Sequence, residues 1–199
     1  MYSLNTLKIA SSFFNPFGTG LTAGTALCYT SLVIGNILYV AGGFTTVNGT
    51  STFRRIAAFN IVTNTWYNPF SSGLGSTGEQ CFSLTSIGSI LYAGGDFNFV
   101  NGVSWAKLAA FNLTTNVWFN PFGTLPNGNV NIIYPVGSII YVGGAFTSPG
   151  TRLASFNTIT NTWINLGSGA SLSSTVSAIS FVNSILYVGG LFTGTYTRI

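Results

Sequence analysis

The phrase Tyr39-Val40-Ala41-Gly42-Gly43-Phe44 recurs as Tyr92 to Phe97, Tyr141 to Phe146 and Tyr187 to Phe192, at steps of 53, 49 and 46 residues. A second phrase follows the first three copies. It reads Phe59-Asn60 with Thr63-Asn64 and Trp66, then Phe111-Asn112 with Thr115-Asn116 and Trp118, then Phe156-Asn157 with Thr160-Asn161 and Trp163. A repeat of roughly 50 residues built from strand signals specifies an array of small sheets, none able to bury its own faces alone. One all-β domain spanning 1–199, with repeats centred on Tyr39, Tyr92, Tyr141 and Tyr187, is therefore expected.

The second copy shows the local grammar. Cys81-Phe82-Ser83-Leu84-Thr85-Ser86-Ile87 alternates as a strand does, and Gly88-Ser89 makes a two-residue turn into Ile90-Leu91-Tyr92-Ala93-Gly94-Gly95. The turn recurs as Gly35-Asn36, Gly137-Ser138 and Asn183-Ser184, residue types that tolerate the positive φ of tight hairpins. A longer link, Asp96 to Ala106, leads to a third strand at Lys107 to Asn112. A turn at Thr114-Thr115-Asn116, held by Asn and Thr side chains on local backbone, opens a fourth at Val117-Trp118-Phe119. Four antiparallel strands per repeat describe a propeller blade. The paired glycines fit crowding of backbone near a propeller axis.

These motifs resemble the kelch repeat of β-propellers: strand-Gly-Gly, a variable link, then Phe-Asn-x-x-Thr-Asn-x-Trp. Phe-Asn stands where that family usually has Tyr-Asp, Ala41 replaces the first glycine of the first copy, and the fourth copy lacks the Trp phrase. The resemblance covers nearly the whole chain and implies a propeller that serves as a binding platform. The ends read as parts of one blade. Arg198-Ile199 followed by Tyr2 to Asn5 resembles Arg152 to Asn157, and Phe13-Phe14-Asn15-Pro16-Phe17-Gly18 resembles Trp118 to Gly123. Closure of about four blades with the two termini completing one is expected, within one chain or by exchange between two chains. A window from a longer array is the alternative.

In such blades the links between second and third strands and from blade to blade share one face, and here they are the long ones. Arg55, Lys107, Arg152 and Arg198 hold one repeat position at the end of those links, with Arg54, Glu79, Asp96 and Trp105 on or beside the same face. This set is the candidate binding surface, for an anionic or sugar-bearing partner. The competing reading, that the cations cap backbone carbonyls, draws support from their repetition. Trp66, Trp118 and Trp163, with Phe17, Phe70 and Phe122, are expected to pack blade on blade.

Composition narrows the function. Only 4% of the residues are charged, six basic and two acidic, and there is no His, which removes imidazole catalysis and His-ligated metal. Glu79 and Asp96 are the only carboxylates for a glycosidase pair, and nothing else supports that role. No phosphate-cradling motif occurs, because the glycine pairs end strands rather than open helices. Six cations, never more than two adjacent, are too thin a footprint for nucleic acid. Apolar runs are broken before the ~18 residues a membrane helix needs. Cys28 and Cys81 share a repeat position with Val130 and Val176, so two buried free thiols are expected rather than a disulfide. The expectation is a non-enzymatic structural, assembly or protein-binding module without cofactor or metal, with a carbohydrate-binding propeller as the alternative. A surface of Ser, Thr, Asn and Gly favours self-association. It also favours an extracellular, cell-surface or virion location over the cytoplasm.

Overall fold

The computed structural model describes residues 18, 20–22, 27–76, 78–164, 166 and 172–192. The chain is an all-β propeller built of four-stranded antiparallel blades. The first blade comprises Cys28–Ile34, Ile37–Gly42, Ile56–Asn60 and Thr65–Tyr67, hydrogen-bonded in chain order. The second repeats this with Cys81–Ile87, Ile90–Gly95, Leu108–Asn112 and Val117–Phe119, the third with Val130–Val136, Ile139–Gly144, Leu153–Asn157 and Thr162–Ile164. In the fourth, Val176–Val182 and Ile185–Gly190 pair as the first two strands. Closure of a blade by the two chain ends falls on residues outside the described set, Arg198 included.

The hairpin turns follow the glycines. Gly35, Gly88 and Gly137 have φ of 57° while the residue after each stays negative, the pattern of a type II′ turn; Asn183 and Ser184 are both positive, the type I′ pattern. The opposite hairpins are held by one Asn each: Asn60 Oδ1 accepts the amides of Val62 and Thr63, Asn112 those of Thr114 and Thr115, Asn157 those of Ile159 and Thr160. The third strands, Ile-Ala-Ala-Phe, Leu-Ala-Ala-Phe and Leu-Ala-Ser-Phe, are buried on both faces, so they read as continuous runs rather than alternations.

Blades join by two devices. The first is aromatic. Phe70 lies 6.1 Å from Tyr39 of the blade before it and 4.8 and 5.8 Å from Phe111 and Trp118 of the blade after it. Phe122 repeats this with Tyr92, Phe156 and Trp163 at 6.2, 4.8 and 6.1 Å. Trp118 Nε1 donates to Phe70 O at 3.1 Å and Trp163 Nε1 to Phe122 O at 3.0 Å, so each indole fixes the link that precedes its blade. Each ring pair adds about 0.5–1.5 kcal/mol beyond its burial. The matching role for Phe17 lies outside the described residues.

The second device sits at the axis, where the inner strands stand side by side. Every one carries a bulge at the same place, between Cys28 and Thr30, Cys81 and Ser83, Val130 and Ile132, and Val176 and Ala178. In the second, third and fourth blades the first residue of this strand reaches back to the preceding blade. A Cβ on Gly94 would intrude on Val130 Cγ1, and a Cβ on Gly143 would lie 3.1 Å from Val176 Cβ, so these glycines are sockets for a valine from the next blade. The following glycine of each pair has a different neighbour. A Cβ on Gly42, Gly95, Gly144 or Gly190 would strike the carbonyl oxygen of Leu27, Gln80, Asn129 or Thr175, on the link entering the same blade.

Where the socket is Ala41, the facing residue is Cys81, smaller than valine, and both belong to one buried cluster. Cys81, Val130 and Val176 are each 0% exposed, as the sequence pattern implies. Cys28 is a correction. It is exposed, because no blade stands before it among the described residues. Both cysteines are free.

Candidate functional site

The long-loop face is assembled from the link entering each blade and the connection between that blade's second and third strands. Leu21–Thr22 pairs with Thr46–Val47, and Leu74 bridges Val100. The connections are themselves hairpins: Val47 bridges Thr50 around Asn48-Gly49, and Phe99–Val100 pairs with Val103–Ser104 around Asn101-Gly102. Both Asn-Gly pairs have positive φ throughout, at 47° and 78° and at 49° and 80°. Asn-Gly is the strongest short hairpin signal, and it stands in links that the repeat pattern alone leaves without structure.

The repeated cation closes each connection. Arg55, Lys107 and Arg152 have φ of 65°, 71° and 67°, a region costly for residues other than glycine. Their backbones are held on both sides: Arg55 N donates to Phe44 O and Gly42 N to Arg55 O, with the same pair at Lys107 and Arg152. Their side chains return to the residue after the glycine pair. Arg55 Nη1 donates to Gly43 O at 2.7 Å, Lys107 Nζ to Asp96 O at 2.7 Å and Arg152 Nη1 to Ala145 O at 2.5 Å. Arg55 goes further, bonding Phe44 O at 3.1 Å and Ser76 O at 2.5 Å, and is 2% exposed. These cations cap strand-end carbonyls.

The face gathers four of the eight sequence candidates, Arg55, Glu79, Asp96 and Lys107, into one network between the first two blades. Glu79 accepts the amides of Ser76 at 2.7 Å and Asn98 at 3.2 Å, and the Asn98 side chain at 2.5 Å. Lys107 reaches Asn98 Oδ1 at 3.0 Å, and Asp96 Oδ1 accepts the Gln80 amide. Burial pushes the Glu79 carboxyl up, but these hydrogen bonds and the Lys107 charge outweigh it, and the net shift is downward. Both carboxylates thus bind backbone amides and order the link entering the second blade. Arg152 stands apart on the third blade, and Trp105 packs against the core rather than standing free. Arg198 lies outside the described residues.

Beside this network lies an open depression of about 490 Å3, lined by Arg54, Ser71, Ser72, Ser76, Gly75 and Phe99 among others. Arg54 is exposed, and Phe99 shows 42% of its surface. A planar cation, hydroxyls and an exposed ring can together take a small polar ligand by hydrogen bonding and stacking. The repeat pattern sets Arg54 on this face, but carries no signal that brings Phe99 across from the neighbouring blade. Among the described residues no group of three His, Cys, Asp or Glu could hold a metal. Among the same residues no helix is long and apolar enough to cross a membrane.

The Kelch motif matches residues 26–68, which contain the whole first blade. The match bears out the resemblance to the kelch-repeat family, whose phrase the later blades repeat. Two solved structures of computationally designed proteins share the fold. Ika4 aligns with TM-score 0.54 at 12% identity over 85% of this chain and 89% of its own. Ika8 aligns with TM-score 0.52 at 14% identity over 81% of this chain, which spans only 42% of Ika8. No curated protein sequence matches. Kelch repeats generally mediate protein interactions and are generally not catalytic, so the motif suggests a non-enzymatic protein-binding propeller.

Proposed function

We propose that this chain is a structural or assembly module, binding other protein surfaces or copies of itself on the exterior of a cell or virus particle. The observation that carries this reading is the distribution of its surface. Leu27, Val33, Val182, Tyr187 and Leu191 on the first and fourth blades, and Val103, Val117 and Ile159 on the second and third, are 50–77% exposed, while Arg55, Lys107 and Arg152 bond carbonyls with their charged groups. A surface that exposes large apolar groups and few free charges has little to oppose association. Light scattering across a concentration series tests it: species above 21.0 kDa that grow with concentration support assembly, and a monomer at every concentration refutes it. Surface labelling of intact cells or particles tests the location, and protection of the chain from a membrane-impermeant reagent refutes it.

A second reading, carbohydrate binding, draws on the depression between Arg54 and Phe99. Binding on a glycan array that Arg54→Ala and Phe99→Ala both abolish supports it, and binding unchanged in both variants refutes it.

A further inference from the structure

The interface between successive blades has two halves, and the described structure carries one unfilled copy of each. The leading half is the inner-strand face that turns back to the preceding blade. In the second, third and fourth blades it is Cys81 with Leu84, Val130 with Ile133, and Val176 with Ile179, all at most 7% exposed. In the first blade it is Cys28, Ser31 and Val33, all exposed, Val33 at 57%. The trailing half is a Tyr and a socket on the second strand. Tyr39 and Tyr92 are 6% and 3% exposed beneath the next blade's incoming link, whereas Tyr187 is 54% exposed. The Gly94 and Gly143 sockets are filled by valine, whereas a Cβ on Gly189 would meet only Ala178 Cβ, at 3.6 Å.

The two unfilled halves do not fill each other within one chain. The inner strands pack first on second, second on third and third on fourth, with no packing of comparable extent between fourth and first. What covers such a half is shown three times inside the molecule: the complementary half of another blade.

We propose that the first-blade flank of one copy docks on the fourth-blade flank of a second copy, with Cys28 entering the Gly189 socket, and that two copies close head to tail into one ring. This deepens the assembly reading above and rests on it. A head-to-tail contact used twice closes on itself when the rotation allows, leaving no free flank. The seam is also less apolar than the internal joints, because Ser31 stands where the other blades have Leu84, Ile133 and Ile179. Association is therefore reversible and concentration-dependent, while the internal joints hold.

The seam can be locked chemically. A Cβ in the Gly143 socket would lie 3.1 Å from Val176 Cβ. Disulfides need Cβ atoms about 3.5–4.5 Å apart, so a thiol introduced in the equivalent Gly189 socket reaches Cys28 after a shift of a few tenths of an ångström. Gly189→Cys has open space in the free chain and a negative φ, so neither sterics nor backbone strain opposes its folding. Diamide, which takes up the two protons and two electrons of the thiol pair, should convert this variant to a species of twice the 21.0 kDa chain mass, stable without reductant. The Cys28→Ser, Gly189→Cys double variant should give none. Gly189→Leu fills the socket and should weaken dimer formation at least tenfold, with its circular dichroism and melting transition as monomer unchanged.

A disulfide within one chain would show that the first blade closes on its own fourth. A ladder of larger species would show open stacking. Either result, or no disulfide, or a dimer indifferent to Gly189→Leu, overturns the proposal. Concentration-dependent association of the native chain, with no crosslink from Cys28 in the Gly189→Cys variant, would leave the assembly reading standing and place its contact elsewhere. A native chain that stays monomeric refutes both.

Discussion

Replacing Gly94 by alanine tests whether the axis is built from sockets. Gly94 has a negative φ, so alanine is not strained there, and on backbone grounds alone it would stabilise by about 0.4–1 kcal/mol through the unfolded state. The structure gives the opposite sign. The new Cβ would intrude on Val130 Cγ1 and lie 3.0 Å from Ile133 Cδ1 and 3.2 Å from Ile133 Cγ1, all in a fully packed joint. Overpacking of this kind costs about 1–3 kcal/mol, leaving a net loss of up to about 2.6 kcal/mol. At about 2–4 °C per kcal/mol for a chain of this size, the melting temperature falls by up to about 10 °C.

The molecule contains its own remedy, since the first joint pairs Ala41 with Cys81. Val130→Cys alone should cost about 0.5–1.5 kcal/mol by leaving space, as other deletions of one buried carbon do. Combined with Gly94→Ala it reproduces the first joint, and the two changes should couple favourably by about 1–2 kcal/mol. Urea titrations of the four proteins at one fixed concentration measure the coupling, because association shifts apparent stability. A stabilising Gly94→Ala, or additivity within about 0.5 kcal/mol, would refute the socket argument.

Arg55→Met strands the buried carbonyls of Gly43 and Phe44 and should lower stability by about 1–3 kcal/mol or more, whereas Lys107→Met, whose bonds lie nearer solvent, should cost about 1 kcal/mol or less. Equal urea midpoints for native and Arg55→Met proteins would contradict the capping role. Glu79 is held below its ordinary carboxylate range, so its stabilisation is present above the unfolded pKa of roughly 4 and is lost as pH falls through the lower folded value. Glu79→Gln should therefore flatten the acid limb of a stability-against-pH curve below about pH 4, and an unchanged limb would rule out that linkage. Burial pushes the Cys81 thiol up to about 12, while Cys28 is exposed. Thiol labelling at pH 8 should count one cysteine in the dilute native chain and two in denaturant, with Cys28 gaining protection as concentration rises; two rapid native thiols would contradict the packing of Cys81.

Much of the fold is legible because it depends on local chemistry. Gly88-Ser89, Asn112 with Thr115 and the Phe-Asn strand ends define turns and strand lengths within a few residues of themselves. The aromatic joints are also readable, since Phe70 and Phe122 recur at the same step as Trp66 and Trp118. The candidate site is less readable. Repetition marks Arg55, Lys107 and Arg152 as a set, but does not decide between solvent and carbonyl partners. The depression at Arg54 joins Ser51 and Thr52 of one blade's loop to Phe99 and Gly102 of the next, a juxtaposition that no local pattern records.

Cys28 draws the line between the two kinds of information. Its repeat position specifies a small residue that fits a neighbouring blade's socket, and that much is inherited by every copy of the phrase. Whether the residue is buried depends on a neighbour being there. Cys81 is 0% exposed because Ala41 and its blade stand in front of it, and Cys28 is exposed because no such blade does among the described residues. Residue order is enough to specify the blades, their turns and the shape of each half-joint, because hydrogen bonding and side-chain volume act within and between adjacent strands. Which halves are filled emerges only when the blades stand together in space, because burial belongs to pairs of surfaces.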